Sequence, residues 1–220
     1  MPELLFRPLY DENHRTLVFN ERDAPPKTIQ KGLREPLLCD ECEKHLQRYE
    51  DYFARFWYKK RPIPRQIEGP EVLVNFDYRR FKLFMLSIVW RAAVSRLPEF
   101  AAVTLGKHEE VVRGMVLEDR PGGFLDYPIF AGLVVDPETK GICDNVMLQP
   151  LKIKARSHWA IRMVFAGASW TVLTSSHQSL PFEEKFLQDD GQLTFLTLSL
   201  PEFAKRSGMA EAIHDSLKQL

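Results

Sequence analysis

From Asp77 the chain reads Asp77-Tyr78-Arg79-Arg80-Phe81-Lys82-Leu83-Phe84-Met85-Leu86-Ser87-Ile88-Val89-Trp90-Arg91-Ala92-Ala93-Val94, and Pro98 stops the run. Phe81, Phe84, Met85, Ile88 and Ala92 recur at helical spacing, and Leu83, Leu86, Trp90 and Val94 fill much of the remaining surface. A helix that is apolar nearly all round has to be wrapped by other elements. The apolar core of the run, Leu83 to Val94, contains Arg91 and falls well short of the roughly 20 apolar residues that span a bilayer. The expectation is a buried central helix over 77–97 in a protein with no membrane span.

The elements that could wrap it lie on both sides. Leu4-Leu5-Phe6 and Thr16-Leu17-Val18-Phe19 read as two short strands joined by a turn at Asp11 to His14, and 21–36, with Pro25-Pro26, as a loop. Asp40 to Trp57 reads as a helix capped by Asp40, with Cys42, Leu46, Tyr49, Phe53 and Phe56 on one face. Tyr58-Lys59-Lys60-Arg61-Pro62-Ile63-Pro64-Arg65 follows as an extended basic connector, because its two prolines forbid helix. Lys107 to Leu117 predicts a shorter helix and Arg120 to Gly123 a turn. Five β-branched or aromatic runs then read as strands, 128–135, 146–153, 158–165, 169–173 and 192–198, before a last helix over 201–217. Helices first and an antiparallel sheet afterwards predict an α+β fold. The connector divides it into an N-terminal segment, 1–60, and an α+β domain, 61–220.

Composition removes several function classes. Lys plus Arg and Asp plus Glu are each 30 in 220 residues. Zero net charge gives no general attraction to nucleic acid or membrane, although a local basic patch stays open. Three cysteines, Cys39, Cys42 and Cys143, are too few for a disulfide scaffold and fit a reducing compartment. The first residues lack the basic-then-apolar order of a signal peptide. The expected location is cytoplasmic.

The sharpest motif is Cys39-Asp40-Glu41-Cys42 at a helix start. Two thiolates at this spacing can hold one zinc, helped by the helix dipole and free amides. Tetrahedral structural zinc takes four ligands, so two more must come from elsewhere: His45 one turn on, or two cysteines of a second copy in a zinc-bridged homodimer. The plainer alternative is that Cys42, on the apolar face, is a small core residue.

Leu4-Leu5-Phe6-Arg7-Pro8-Leu9-Tyr10, then Lys31-Gly32-Leu33-Arg34-Glu35-Pro36-Leu37-Leu38-Cys39-Asp40-Glu41-Cys42-Glu43, then Tyr49-Glu50-Asp51-Tyr52-Phe53 together resemble bacterial HNH-endonuclease-like proteins. The span 75–106 is similar to the helical region that follows in relatives of that group, so the resemblance covers roughly the first half of the chain. It implies association with DNA and a zinc-stabilised ββα unit whose second cysteine pair is Cys39 and Cys42. In complete members an earlier C-x-x-C and a His-Ile-Ile-Pro-type segment come first. There the histidine activates water and a divalent ion stabilises the leaving oxygen. Met1-Pro2 stands where the last two residues of that segment would fall. Either the segment lies upstream of this sequence, or the nuclease site has been lost and the rest kept. Only Cys39 and Cys42 carry over, and no catalytic residue is assigned.

The other charged clusters have plain solvation as their alternative. Lys59, Lys60, Arg61 and Arg65 beside Trp57 and Tyr58 suit a phosphate backbone, with Arg79, Arg80 and Lys82 as possible additions. Lys152, Lys154, Arg156 and Arg162 predict one basic sheet face. Gly167-Ala168-Ser169-Trp170-Thr171 lacks the second glycine of a nucleophile elbow, and no phosphate loop or dinucleotide fingerprint is present. Two functions remain: a nucleic-acid-associated, catalytically incomplete HNH-like protein, or a non-enzymatic module whose C-terminal α+β region binds a protein partner.

Overall fold

The computed structural model describes residues 2–10, 12, 15–18, 27–30, 32–155, 157–174 and 182–207. The N-terminal hairpin pairs β1, Arg15–Val18, with β2, Lys27–Gln30, antiparallel. It is not the hairpin expected. Leu4-Leu5-Phe6 is no strand: Glu3–Leu5 and Arg7–Leu9 are 3-10 turns that bury Leu5 and Phe6. A three-residue apolar run carries no periodicity that separates a strand from a turn. The partner strand comes from within 21–36, expected as loop.

Helix α1, Asp40–Phe53, continues as a π-helical segment, Ala54–Lys60. Cys39, not Asp40, occupies the cap position, and it makes no side-chain capping bond. The connector therefore starts later than expected, because Tyr58, Lys59 and Lys60 are still helical. A proline restricts the residue directly before it and leaves the preceding turn free. Arg61, immediately before Pro62, is that residue, and it turns left-handed at φ 50°.

Strand β3, Glu71–Asn75, was missed. Helix α2, Tyr78–Val94, starts where the Asp77 carboxylate accepts the Arg80 N–H at 3.0 Å. Every residue from Phe81 to Ala92 is buried, as an all-round apolar helix requires. Helix α3, Glu109–Leu117, precedes the strands β4, Ile129–Val135; β5, Leu148–Ala155; β6, His158–Phe165; β7, Ala168–Leu173; and β8, Gln192–Ser199. Helix α4 follows as Leu200–Ser207; the rest of the expected closing helix lies outside the described residues.

Six strands form one sheet in the order β3-β8-β4-β7-β6-β5. All neighbours are antiparallel except β4 and β8. The fold is α+β, with a mainly antiparallel sheet and a helix after its last strand. One sheet face packs on the helices through an aromatic core. Phe53 stacks on Phe84 at 4.5 Å and Phe76 on Phe81 at 3.9 Å, while Trp170 meets Trp57 and Phe195 edge-on. Both indoles bury their N–H against carbonyls, Trp57 on Ala166 at 2.9 Å and Trp170 on Phe165 at 3.2 Å. Leu5, Phe6, Leu46 and Phe53 belong to the same continuous core as the sheet. On the other face, Phe203 of α4 packs over Val134 and Val164. Among the described residues no helix is long and apolar enough to cross a membrane.

Candidate functional site

The π-helical segment ends at a cleft of about 420 Å³. One wall is the connector: Tyr58, Arg61, Ile63, Pro64 and Arg65. The other is the β4–β5 connection, Gly141, Ile142 and Asp144, with Ala166 from the β6–β7 turn. Two backbone links hold the walls together. The Ile67 N–H donates to the Lys140 carbonyl at 2.9 Å, and Gln66 bridges to Gly141. Asp136 braces the connection by accepting the N–H groups of Glu138 and Thr139 at 2.9 and 2.8 Å. Gly167, at φ 75°, makes room for Ile142, whose Cγ2 would lie 2.1 Å from an added Cβ. Here glycine serves both a left-handed turn and a close approach.

The cleft gathers Arg61 and Arg65 of the four predicted phosphate contacts. Lys59 and Lys60 are exposed just before it on the last π-helical turn. None of the four makes an ion pair among the described residues, and no acidic residue lies between Asp51 and Glu68. The Tyr58 hydroxyl is buried and has no hydrogen-bond partner among the described residues. Burial, and then the charge of Asp144, push this phenol well above its usual range. The site thus offers two planar guanidinium donors and one carboxylate acceptor, with the Tyr58 hydroxyl closed off from solvent in its wall.

The possible additions to the patch do not join it. Arg79 pairs with Asp119 at 3.0 Å and Arg80 with Asp77 at 3.6 Å. Lys82 is 1% exposed, with its ammonium on the Tyr78 hydroxyl and the Gly123 carbonyl. Nor do the sheet lysines share a face with Arg162. Lys152 and Lys154 pair with Ile161 and Trp159, whereas Arg162 pairs with Leu151, and adjacent strand residues point to opposite faces. Arg156 lies outside the described residues.

Cys39 is exposed and Cys42 half-buried at the start of α1. The Cys42 N–H and then its thiol hydrogen-bond to the Cys39 sulfur and push its pKa down; that thiol bond, followed by burial, pushes Cys42 up. His45 is turned to other partners. Its Nε2 lies 2.9 Å from the Val116 carbonyl and 3.1 Å from the Tyr49 hydroxyl, which donates to Asp119 at 2.5 Å. Among the described residues no three His, Cys, Asp or Glu side chains are grouped to hold a metal ion. The pair supplies two thiols of a tetrahedral set, and a zinc there needs two ligands from elsewhere.

The basic run of the cleft was legible in the sequence; its opposite wall was not. Asp144 and Ile142 sit far along the chain in a stretch with no motif. No family model matches the chain, and no curated protein or solved structure is significantly similar to it.

Proposed function

We propose that this protein is a nucleic-acid-binding module of the HNH-endonuclease-like kind, and that it contacts phosphates through Lys59, Lys60, Arg61 and Arg65. The observation that carries the reading is a run of four cations, free of ion pairs among the described residues, at the mouth of a cleft with an unused buried hydroxyl. The hairpin β1–β2 followed by Cys39-x-x-Cys42 at the first turn of α1 is the element order of a ββα unit. That order supports the kinship. The kinship assigns no general base to any residue of this sequence, so the 220-residue chain is expected to bind DNA without cutting it. Plasmid cleavage that depends on a divalent ion and disappears with a substitution in this chain would refute that.

A mobility-shift titration over a range of salt tests the binding. Each phosphate neutralised adds roughly 0.7–0.9 to the slope of log affinity against log salt. Four contacts give a slope of about 3. Lys59→Ala, Lys60→Ala and Arg61→Ala combined should remove about three-quarters of it. No shift at low salt would overturn the reading and direct attention to a protein partner of the C-terminal region.

Zinc at Cys39 and Cys42 belongs to the same proposal. If a second copy completes the site, elemental analysis should return about half a zinc per chain, lost in Cys39→Ser and Cys42→Ser. About one per chain would place the remaining ligands outside the described residues, and none would leave Cys42 a packing residue and Cys39 an exposed thiol.

A further inference from the structure

The cleft holds more than a phosphate backbone can use. A duplex lying across Lys59, Lys60, Arg61 and Arg65 would touch cations at the rim and leave the interior untouched. The rest of the lining is an apolar wall from Ile63, Pro64 and Ile142, the exposed Asp144 carboxylate, and Tyr58, whose hydroxyl is closed off from solvent. Its volume of about 420 Å³ lies within the usual range for sites that enclose a small molecule, roughly 300–1,000 Å³. The surrounding backbone is also unusual. The helix leading in is π-wound, a form concentrated at functional sites. Arg61 and Ala166, both non-glycine residues that line the cleft, hold left-handed conformations at φ 50° and 55°. Such strain persists where surrounding structure enforces it, often around ligands.

We infer that the cleft seats one unstacked nucleotide of a single strand, its phosphate on Arg61 and Arg65 and its base between Ile63 and Ile142, edge toward Tyr58 and Asp144. The inference rests on the nucleic-acid reading above and adds the form of nucleic acid recognised. Each side chain has one chemical task. The guanidiniums are donors only and take the phosphate oxygens. Asp144 is an acceptor only, so it repels phosphate and sets which end of the nucleotide goes where. It also favours bases with an exocyclic amino group, adenine, cytosine and guanine, over thymine, which has none. The Tyr58 hydroxyl, closed off from solvent and without a protein partner among the described residues, donates to a ring nitrogen or carbonyl of the base once its side chain turns toward the cleft. A base paired in a duplex cannot reach these groups without leaving its stack.

Fluorescence anisotropy with labelled oligo-dA, oligo-dC, oligo-dT and a short duplex at low salt tests this on the full chain. Oligo-dA and oligo-dC should bind about ten-fold tighter than the duplex, since seating one base is worth that much or more. Oligo-dT should fall between them. Tyr58→Phe should lose most of the single-strand advantage and leave duplex binding unchanged, while Asp144→Asn, which also removes a charge that repels phosphate, should tighten duplex binding, lose most of the single-strand advantage and bring oligo-dT level with oligo-dA. Lys59→Ala should weaken both forms alike. Tyr58→Phe removes an oxygen without a protein partner, so its thermal melt should match the parent; a clear drop would show that the hydroxyl is engaged within the fold and overturn its role here. Equal affinity for single strand and duplex, unmoved by Tyr58→Phe and Asp144→Asn, would overturn the inference while leaving the phosphate-binding reading intact. Absence of binding to every probe would overturn both.

Discussion

Lys82 lies in the middle of α2 with 1% of its surface exposed, and this should be visible as an alkaline gain in stability. Its ammonium donates to the Tyr78 hydroxyl at 2.9 Å and to the Gly123 carbonyl, and the Tyr78 hydroxyl donates in turn to Gly122 at 2.8 Å. Burial, opposed by the charges of Asp126 and Asp189, lowers the Lys82 pKa from 10.5 to about 8. Between those values the unfolded chain still holds a proton that the folded chain has shed, so stability rises with pH across the window. At about 1.4 kcal/mol per tenfold change in proton affinity, the whole gain is on the order of 3 kcal/mol. Above about pH 10 the direction reverses. Burial first, joined by neighbouring carboxylates, holds Tyr49, Tyr52 and Tyr78 above the ordinary phenol value, and the unfolded chain ionises ahead of the folded one. Urea unfolding at a series of pH values should give a rise from about pH 8 to a maximum near pH 10. In Lys82→Met the rise should be missing. Other groups titrating in this window are common to both proteins, so the difference between them isolates Lys82. A parent curve that is flat from pH 8 to 10, or an equal rise in Lys82→Met, would refute the assignment.

Two further perturbations probe packing elsewhere in the fold. Glu50 of α1 and Arg91 of α2 form a buried ion pair at 2.8 Å, and Arg91 also donates to the carbonyl and hydroxyl of Ser87. Arg91→Met leaves a buried carboxylate without its counterion and should cost about 3–5 kcal/mol in urea unfolding, most of it recovered when Glu50→Gln is added. A single-variant cost below about 1 kcal/mol would mean that water reaches the pair. Gly191 sits at φ 90°, and an added Cβ would lie 1.9 Å from the Phe76 carbonyl oxygen, in a turn where the Phe76 N–H donates back to Gly191 at 2.8 Å. Gly191→Ala should therefore destabilise by more than about 2 kcal/mol, and an unchanged melt would contradict the placement of this turn against Phe76.

How much of this was readable depends on the range of the forces involved. Helix α2 declared itself because all-round apolarity has one meaning, burial, whatever lies around it. Strands β4 and β7 were plain for the same reason: β-branched and aromatic runs bounded by turns need no partner to be recognised. Strand β3 escaped because Val72-Leu73-Val74 is short, stands between Gly69-Pro70 and Asp77, and becomes a strand only by pairing with β8. The N-terminal hairpin failed the same way, since Lys27-Thr28-Ile29-Gln30 has no apolar alternation and gains its strand character from β1. The cleft divides along this line. Pro62 and Pro64 are local and legible, and they bring about more than the end of a helix. Pro62 keeps Arg61 out of the right-handed helical region, Arg61 turns left-handed, and the chain leaves the π-helical turn with its basic run at the cleft mouth. The facing wall depends on a turn at Ala166-Gly167 and on the packing of Ile142 against it, contacts made between residues far apart in sequence. A charge run in a sequence is a common thing and usually only a solvated surface. What separates this one from that default is a carboxylate acceptor, Asp144, on the facing wall of the cleft, and only the folded chain brings the two together.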